Sequence, residues 1–176
     1  RQRPKFATLE AAKPIEDLPA RLKILINGTD KAGEFYRQFH YSLFSYISHR
    51  IPEISDEVYR LDDAMMAGFG WEIGAFESWD ASGLAKTTEA MKAAGFTVAK
   101  WVDDMLAAGH NTFYKVENGK RLYYDIAGKT YKNLPGGDTF LVMKYFTNQT
   151  IWKNSSSRVY HLGDDVLGLE WNTKMN

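Results

Sequence analysis

Asp30-Lys31-Ala32-Gly33-Glu34-Phe35-Tyr36-Arg37-Gln38-Phe39-His40-Tyr41-Ser42-Leu43-Phe44-Ser45-Tyr46-Ile47-Ser48-His49-Arg50-Ile51-Pro52 is the stretch that decides the fold class. Ala32, Phe35, Tyr36, Phe39, Leu43, Tyr46 and Ile47 recur at intervals of three and four, which predicts a long helix with one wide buried stripe ended by Pro52. Thr29 or Asp30 supplies its N-cap. Upstream, Leu18, Leu22, Leu25 and Ile26 repeat the spacing from about Asp17, and Gly28 is expected as a left-handed stop. Over residues 1–16, Pro4 and Pro14 among mixed charges, followed closely by Pro19, read as an extended linker with at most a short helical turn.

Downstream, Ser55 is positioned to cap a third helix with Asp56 and Glu57 in its positive first turn. Val58, Leu61 and Met65 face inward, and Gly68 closes it. Two shorter helices follow at 75–82 and 84–94, each with a glycine behind it, Gly83 and Gly95. A sixth begins after Thr97, turns Val98, Trp101, Val102, Met105 and Leu106 to one side, and stops at Gly109. Residues 17–110 thus read as one all-helical domain.

The texture changes after Gly109. Residues 112–117 and 121–125 are aromatic, β-favouring segments joined by Asn118-Gly119, the pair that best tolerates a type I′ hairpin turn. A third short strand is expected around Tyr131, completing a β extension over 111–137. Asp138 is read as the cap of a brief helix carrying Phe140, Leu141 and Met143, with linker to residue 157. A hairpin of strands 158–162 and 166–171 about Gly163-Asp164-Asp165 closes the chain. The expected class is mainly α, followed by small antiparallel β-hairpins.

A chain of 176 residues is long enough to bury ~70% of the surface it exposes unfolded. Lys plus Arg equals Asp plus Glu at 22 each, so no overall field favours nucleic acid or an anionic membrane. The absence of cysteine excludes disulfides, thiolate zinc sites, iron–sulfur clusters and cysteine nucleophiles within this sequence, and fits an intracellular setting. No apolar run approaches the ~20 residues of a membrane-spanning helix. Arg1 in place of a methionine, and a stop right after a strand-like segment, read as cuts in a longer polypeptide.

The residues that could carry chemistry have plainer uses. Gly68-Phe69-Gly70 has Ile73 where the third glycine of a dinucleotide loop would fall, so these glycines and Gly74 are read as a helix stop and a tight turn. His40, His49, His110 and His161 lack ligand spacing, and no metal is expected. His40 sits off the apolar stripe and is expected to be partly exposed or at an interface, while His110 follows a helix-ending glycine near terminal carbonyls. Glu72, Glu77 and Asp80 gather near the turn, but Glu77 falls where a helix N-terminus favours a negative charge. Trp71, Phe76 and Trp79 lie among apolar neighbours and read as packing residues. On the residues alone there is a folding module with no catalytic, cofactor-binding or metal residue.

The segment from Leu61-Asp62-Asp63-Ala64-Met65-Met66-Ala67-Gly68-Phe69-Gly70 through Gly74-Ala75-Phe76-Glu77 to Asp80 resembles the repeat in the C-terminal helical domain of 3-hydroxyacyl-CoA dehydrogenases. Ala75 stands where that family usually has proline, which softens a helix start without forbidding it. Arg3-Pro4-Lys5-Phe6, Ser48-His49-Arg50-Ile51-Pro52-Glu53-Ile54 and Asn118-Gly119-Lys120-Arg121 are similar to segments of the long bacterial form fused to an enoyl-CoA hydratase. Val166-Leu167-Gly168-Leu169-Glu170-Trp171 looks like the opening of its crotonase-like domain, which would place residues 158–176 there.

The resemblance implies a second helical repeat with a fold like the C-terminal domain of 6-phosphogluconate dehydrogenase. It further implies a cytoplasmic parent enzyme of fatty-acid β-oxidation that binds NAD and acyl-CoA, with catalysis in an N-terminal domain outside this sequence. Expected partners are that NAD-binding domain, the hydratase domain of the same chain and a second subunit; no nucleic acid is expected. The expected structural turn and interdomain surface comprises Gly68, Phe69, Gly70, Gly74, Phe76, Glu77 and Asp80, with the aromatic helix from Phe35 to Tyr46. The alternative is a non-catalytic interaction module derived from that family, which lacks an upstream G-x-G-x-x-G unit.

Overall fold

A computed structural model describes residues 5–137, 139 and 141–172. They form two compact units: the chain up to Phe113 together with Tyr124–Thr130, and Tyr114–Tyr123 together with the chain from Tyr131 onward. The first unit carries helices α1 (Ala7–Ala12), α2 (Leu18–Asn27), α3 (Lys31–Arg50), α4 (Val58–Phe69), α5 (Ala75–Ser82), α6 (Leu84–Ala93) and α7 (Lys100–Ala107).

Side-chain carboxylates set several of these starts. Asp17 caps α2 by accepting the Ala20 N–H at 2.9 Å. Asp30, not Thr29, caps α3, accepting from the N–H groups of Ala32 at 3.1 Å and Gly33 at 3.0 Å. Its other oxygen accepts the Thr8 N–H of α1 at 2.9 Å, so one carboxylate fastens two helix N-termini. The Thr8 bond first, then that of Gly33, holds the Asp30 pKa down at about 2. The lead-in expected as an extended linker is therefore helical at α1 and packed, with Thr8 and Ala12 buried.

Four local expectations are corrected. Gly28 ends α2 in extended backbone, φ −60°, rather than left-handed. Glycine is needed there for space, because a Cβ would collide with the Thr8 side chain, and Gly33 meets the Gly28 backbone in the same way. That close approach sets the phase of α3. Its buried face is Ala32, Gly33, His40, Tyr41, Phe44, Ile47 and Ser48, so Ala32 and Ile47 of the expected stripe are inside, whereas Phe35, Phe39 and Tyr46 are 67%, 46% and 61% exposed. Finally, α4 stops at Gly70, φ 67°, whose N–H reaches the Met66 carbonyl at 3.0 Å. Gly68 lies inside the helix, and Ser55 forms a turn ahead of α4 by accepting the Glu57 N–H at 3.1 Å.

The core of this unit is aromatic. Trp79 stacks on Phe44 with ring centroids 4.9 Å apart, and Phe113 meets Phe76 edge-on at 4.8 Å. All four side chains are fully buried, with Leu84, Met91, Val102 and Met105 around them. Helices α6 and α7 end on left-handed Gly95 and Gly109, after which the Phe96 N–H returns to Met91 O and the His110 N–H to Met105 O.

Two three-stranded antiparallel sheets follow, β1 (Tyr114–Glu117), β2 (Lys120–Asp125), β3 (Thr130–Asn133) and β4 (Thr150–Lys153), β5 (Ser157–Gly163), β6 (Val166–Trp171), each paired in sequence order. Asn118 and Gly119 take φ 50° and 73°, the type I′ turn expected from the dipeptide, and Glu117 pairs with Lys120 across it. The Phe146 ring lies against Gly119 and leaves no room for a Cβ there. Residues expected as a capped helix and linker instead hold a 3₁₀-helix, Met143–Gln149, and β4. Leu141 precedes that helix and is exposed; Asp138 and Phe140 lie outside the described residues. The closing hairpin turns through Gly163, Asp164 and Asp165, all at positive φ, and with β4 it makes a sheet rather than a lone hairpin. The described chain is mainly α with two small sheets, and none of its helices is long and apolar enough to cross a membrane.

Candidate functional site

Asp62 organises the corner between α4 and α5. It is buried, and its carboxylate accepts the Phe76 N–H at 2.8 Å and the Glu77 N–H at 3.1 Å, capping α5 from the neighbouring helix. The Glu77 carboxylate accepts the Gly74 N–H at 2.9 Å, and the Ser78 hydroxyl donates to Gly74 O at 2.7 Å. A Cβ on Gly74 would collide with the Asp62 carboxylate, which explains the glycine. Asp80 accepts the Phe113 N–H at 2.8 Å and so anchors the chain as it leaves the helices. Glu77 and Asp80 thus bond backbone, as capping and anchoring groups do.

This corner also decides the fit of a dinucleotide. Phosphates bind where helix N-terminal N–H groups point at them. At α5 those groups are already taken by Asp62, so a phosphate would meet a carboxylate. The residues of this corner do not fit NAD, and no step through it is assigned to them.

Of the expected interdomain residues, Gly68, Phe69 and Gly70 lie at the exposed end of α4, whereas Gly74 and Phe76 are buried and offer no surface. His40 is buried as well, at 6% exposure, contrary to its expected position off the stripe. Its ring stacks on Tyr36 and meets Phe39 edge-on, and Nδ1 donates to Tyr36 O at 2.8 Å. Burial lowers its pKa, which favours a neutral imidazole with Nε2 left as an acceptor. His49 and His161 are exposed, and the His110 ring lies 5.3 Å from that of Tyr124. Among the described residues no three His, Asp or Glu side chains gather as metal ligands.

Depressions mark the surface of the helical unit among the described residues. A band of about 460 Å³ runs along α3 over Phe35, Gln38, Phe39, Ser42, Leu43 and Tyr46. A groove of about 360 Å³ continues from Leu43 and Tyr46 between α3 and α4 to Ile54, Met65 and Phe69. A cleft of about 310 Å³ lies beyond Phe39, under the Gly70–Ile73 turn, with His40 in its wall. Together they make one apolar face bearing Phe35, Phe39, Tyr46, Ile54 and Phe69, each at least 46% exposed.

No family model and no solved structure matches the chain. Among curated proteins, a probable 3-hydroxyacyl-CoA dehydrogenase from Bacillus subtilis (strain 168) is 36% identical over 178 residues, an alignment that takes in the whole chain. The chain is homologous to part of a dehydrogenase. It spans 22% of that relative's length. The similarity to a 3-hydroxyacyl-CoA dehydrogenase agrees with the resemblance carried by the Leu61 to Asp80 segment.

One feature of this corner was not anticipated from sequence. Asp62 lies one residue from Leu61 on the inward side of α4, and its capping role depends on a helix 14 residues downstream. The apolar face lies along the aromatic helix expected at the surface, where α3 turns Phe35, Phe39 and Tyr46 outward while Phe44 stays buried; the signal was the excess of aromatics around that helix, more than one buried stripe can hold.

Proposed function

We propose that this chain is a supporting helical domain of an NAD-dependent (S)-3-hydroxyacyl-CoA dehydrogenase of fatty-acid β-oxidation, working in the cytoplasm, with hydride transfer performed by another domain of a longer polypeptide. The observation that carries this reading is the similarity of the whole chain to 22% of a probable dehydrogenase. The backbone bonds of Asp62, Glu77 and Asp80 support it, since those carboxylates already hold the fold together. The apolar face on α3 and α4 would seat an adjoining nucleotide-binding or hydratase domain, or a second subunit, and help shape the acyl-CoA site.

Charge placed on that face tests the reading. Phe35→Glu with Tyr46→Glu alters two exposed positions, where substitution changes stability by roughly 0.5 kcal/mol. The melting temperature of the chain should therefore stay nearly constant. In the complete polypeptide the same pair should lower kcat/KM for 3-hydroxyacyl-CoA oxidation about tenfold, the cost of ~1.4 kcal/mol at a contact that orders the active enzyme. Unchanged turnover contradicts the role of the face. A complete polypeptide without dehydrogenase turnover favours the interaction-module reading, for which the exposed face alone is sufficient.

A further inference from the structure

The cleft under the Gly70–Ile73 turn differs from the band and groove beside it in the polar groups it offers. Leu18, Leu22, Phe39 and Ile73 make its walls apolar, and Gly70, His40, Trp71, Glu72 and Ser78 complete the lining. The His40 Nδ1 proton is held by Tyr36 O, so the far nitrogen of the neutral ring accepts. The Ser78 proton is held by Gly74 O, so its oxygen also has only lone pairs to offer. Glu72 is an exposed carboxylate with no ion-pair partner among the described residues. Against these three acceptors stands one side-chain donor, the Trp71 indole N–H, and neither lysine nor arginine lines the cleft. A cleft near 300 Å³ lies at the small end of ligand sites.

We propose that this cleft binds a small organic cation with an apolar body, such as an alkylammonium ion, whose N–H groups meet His40 and Glu72 while its chain lies against Leu18, Leu22 and Phe39. The Trp71 ring adds a π-face that attracts a cation. A carboxylate-tipped ligand of the same size would face Glu72 and is disfavoured. This assignment stands on the lining alone and does not depend on the dehydrogenase reading.

The test is titration of the chain at pH 7.5 with hexylamine, hexan-1-ol and hexanoate, which share a tail and differ in charge, followed through the NMR resonances of the His40 and Trp71 rings. Hexylammonium should shift both rings saturably at millimolar concentration and bind about threefold tighter than hexanol, a ratio within the range of an exposed ion pair. Hexanoate should bind weakest. Glu72→Gln should abolish the advantage of the amine over the alcohol, and His40→Phe should weaken both. The proposal is overturned if the three ligands bind equally, if hexanoate binds tightest, if neither ring responds, or if Glu72→Gln leaves the amine's advantage intact.

Discussion

Asp62→Ala should lower the stability of the helical unit by about 3 kcal/mol, the sum of a lost N-cap and the stranding of two N–H donors that no water shell replaces. The carboxylate is 1% exposed and holds the first turn of α5 through Phe76 and Glu77, so its loss frees the helix that carries Trp79. Asp62→Asn keeps one acceptor and should cost roughly half as much. The mechanism has a second signature in Gly74. Its φ of −77° suits any residue, so Gly74→Ala strains nothing in the backbone and its cost comes from contact with Asp62. In the Asp62→Ala background the contacts with the carboxylate are gone while the one with the Cβ at that position remains, so the cost of Gly74→Ala should fall without vanishing. Urea unfolding of the four species should give a coupling of about 1 kcal/mol or more with m unchanged. Additive effects would refute the mechanism.

Trp79→Ala should cost about 4 kcal/mol, the scale of deleting a large aromatic from a well-packed interior. Trp79 is fully buried, stacked on Phe44 and 5.4 Å from Phe113, so the hole would open where α3, α5 and Phe113 converge. Trp79→Phe should be much milder. It keeps an aromatic face for Phe44, and it removes an indole N–H that has no hydrogen-bond partner in its buried position, a group whose burial opposes folding. Calorimetric melting that ranks wild type and Trp79→Phe close together, with Trp79→Ala far below, supports this packing. Equal losses for the two variants would contradict it.

These two sites show where the sequence was legible and where it was not. Short-range chemistry was readable: the helical spacing from Leu18 to Ile26, Asn118-Gly119 at the first hairpin and the glycines behind α6 and α7 act within a few residues of themselves. The phase of α3 was not, because aromatics occur all round that helix and only the Gly28–Gly33 approach, a contact between two helices, chooses which face is inside. The same limit hid Asp62 and made His40 look exposed. Four-residue β4 was read as linker, since its pairing with β5 is what makes it a strand. The Leu61 to Asp80 corner could be singled out from its glycines and carboxylates, but dividing it between exposed Phe69 and buried Phe76 required the packed helices.

The central claim is that this domain supports a dehydrogenase whose chemistry lies outside it. It is tested most directly by titrating the chain with NADH in the calorimeter and then following NADH absorbance with acetoacetyl-CoA present. The account predicts no heat of binding and no NADH consumption, because the α5 N-terminus that would hold a phosphate is filled by Asp62. Saturable NADH binding, or turnover of acetoacetyl-CoA by this chain alone, would contradict it.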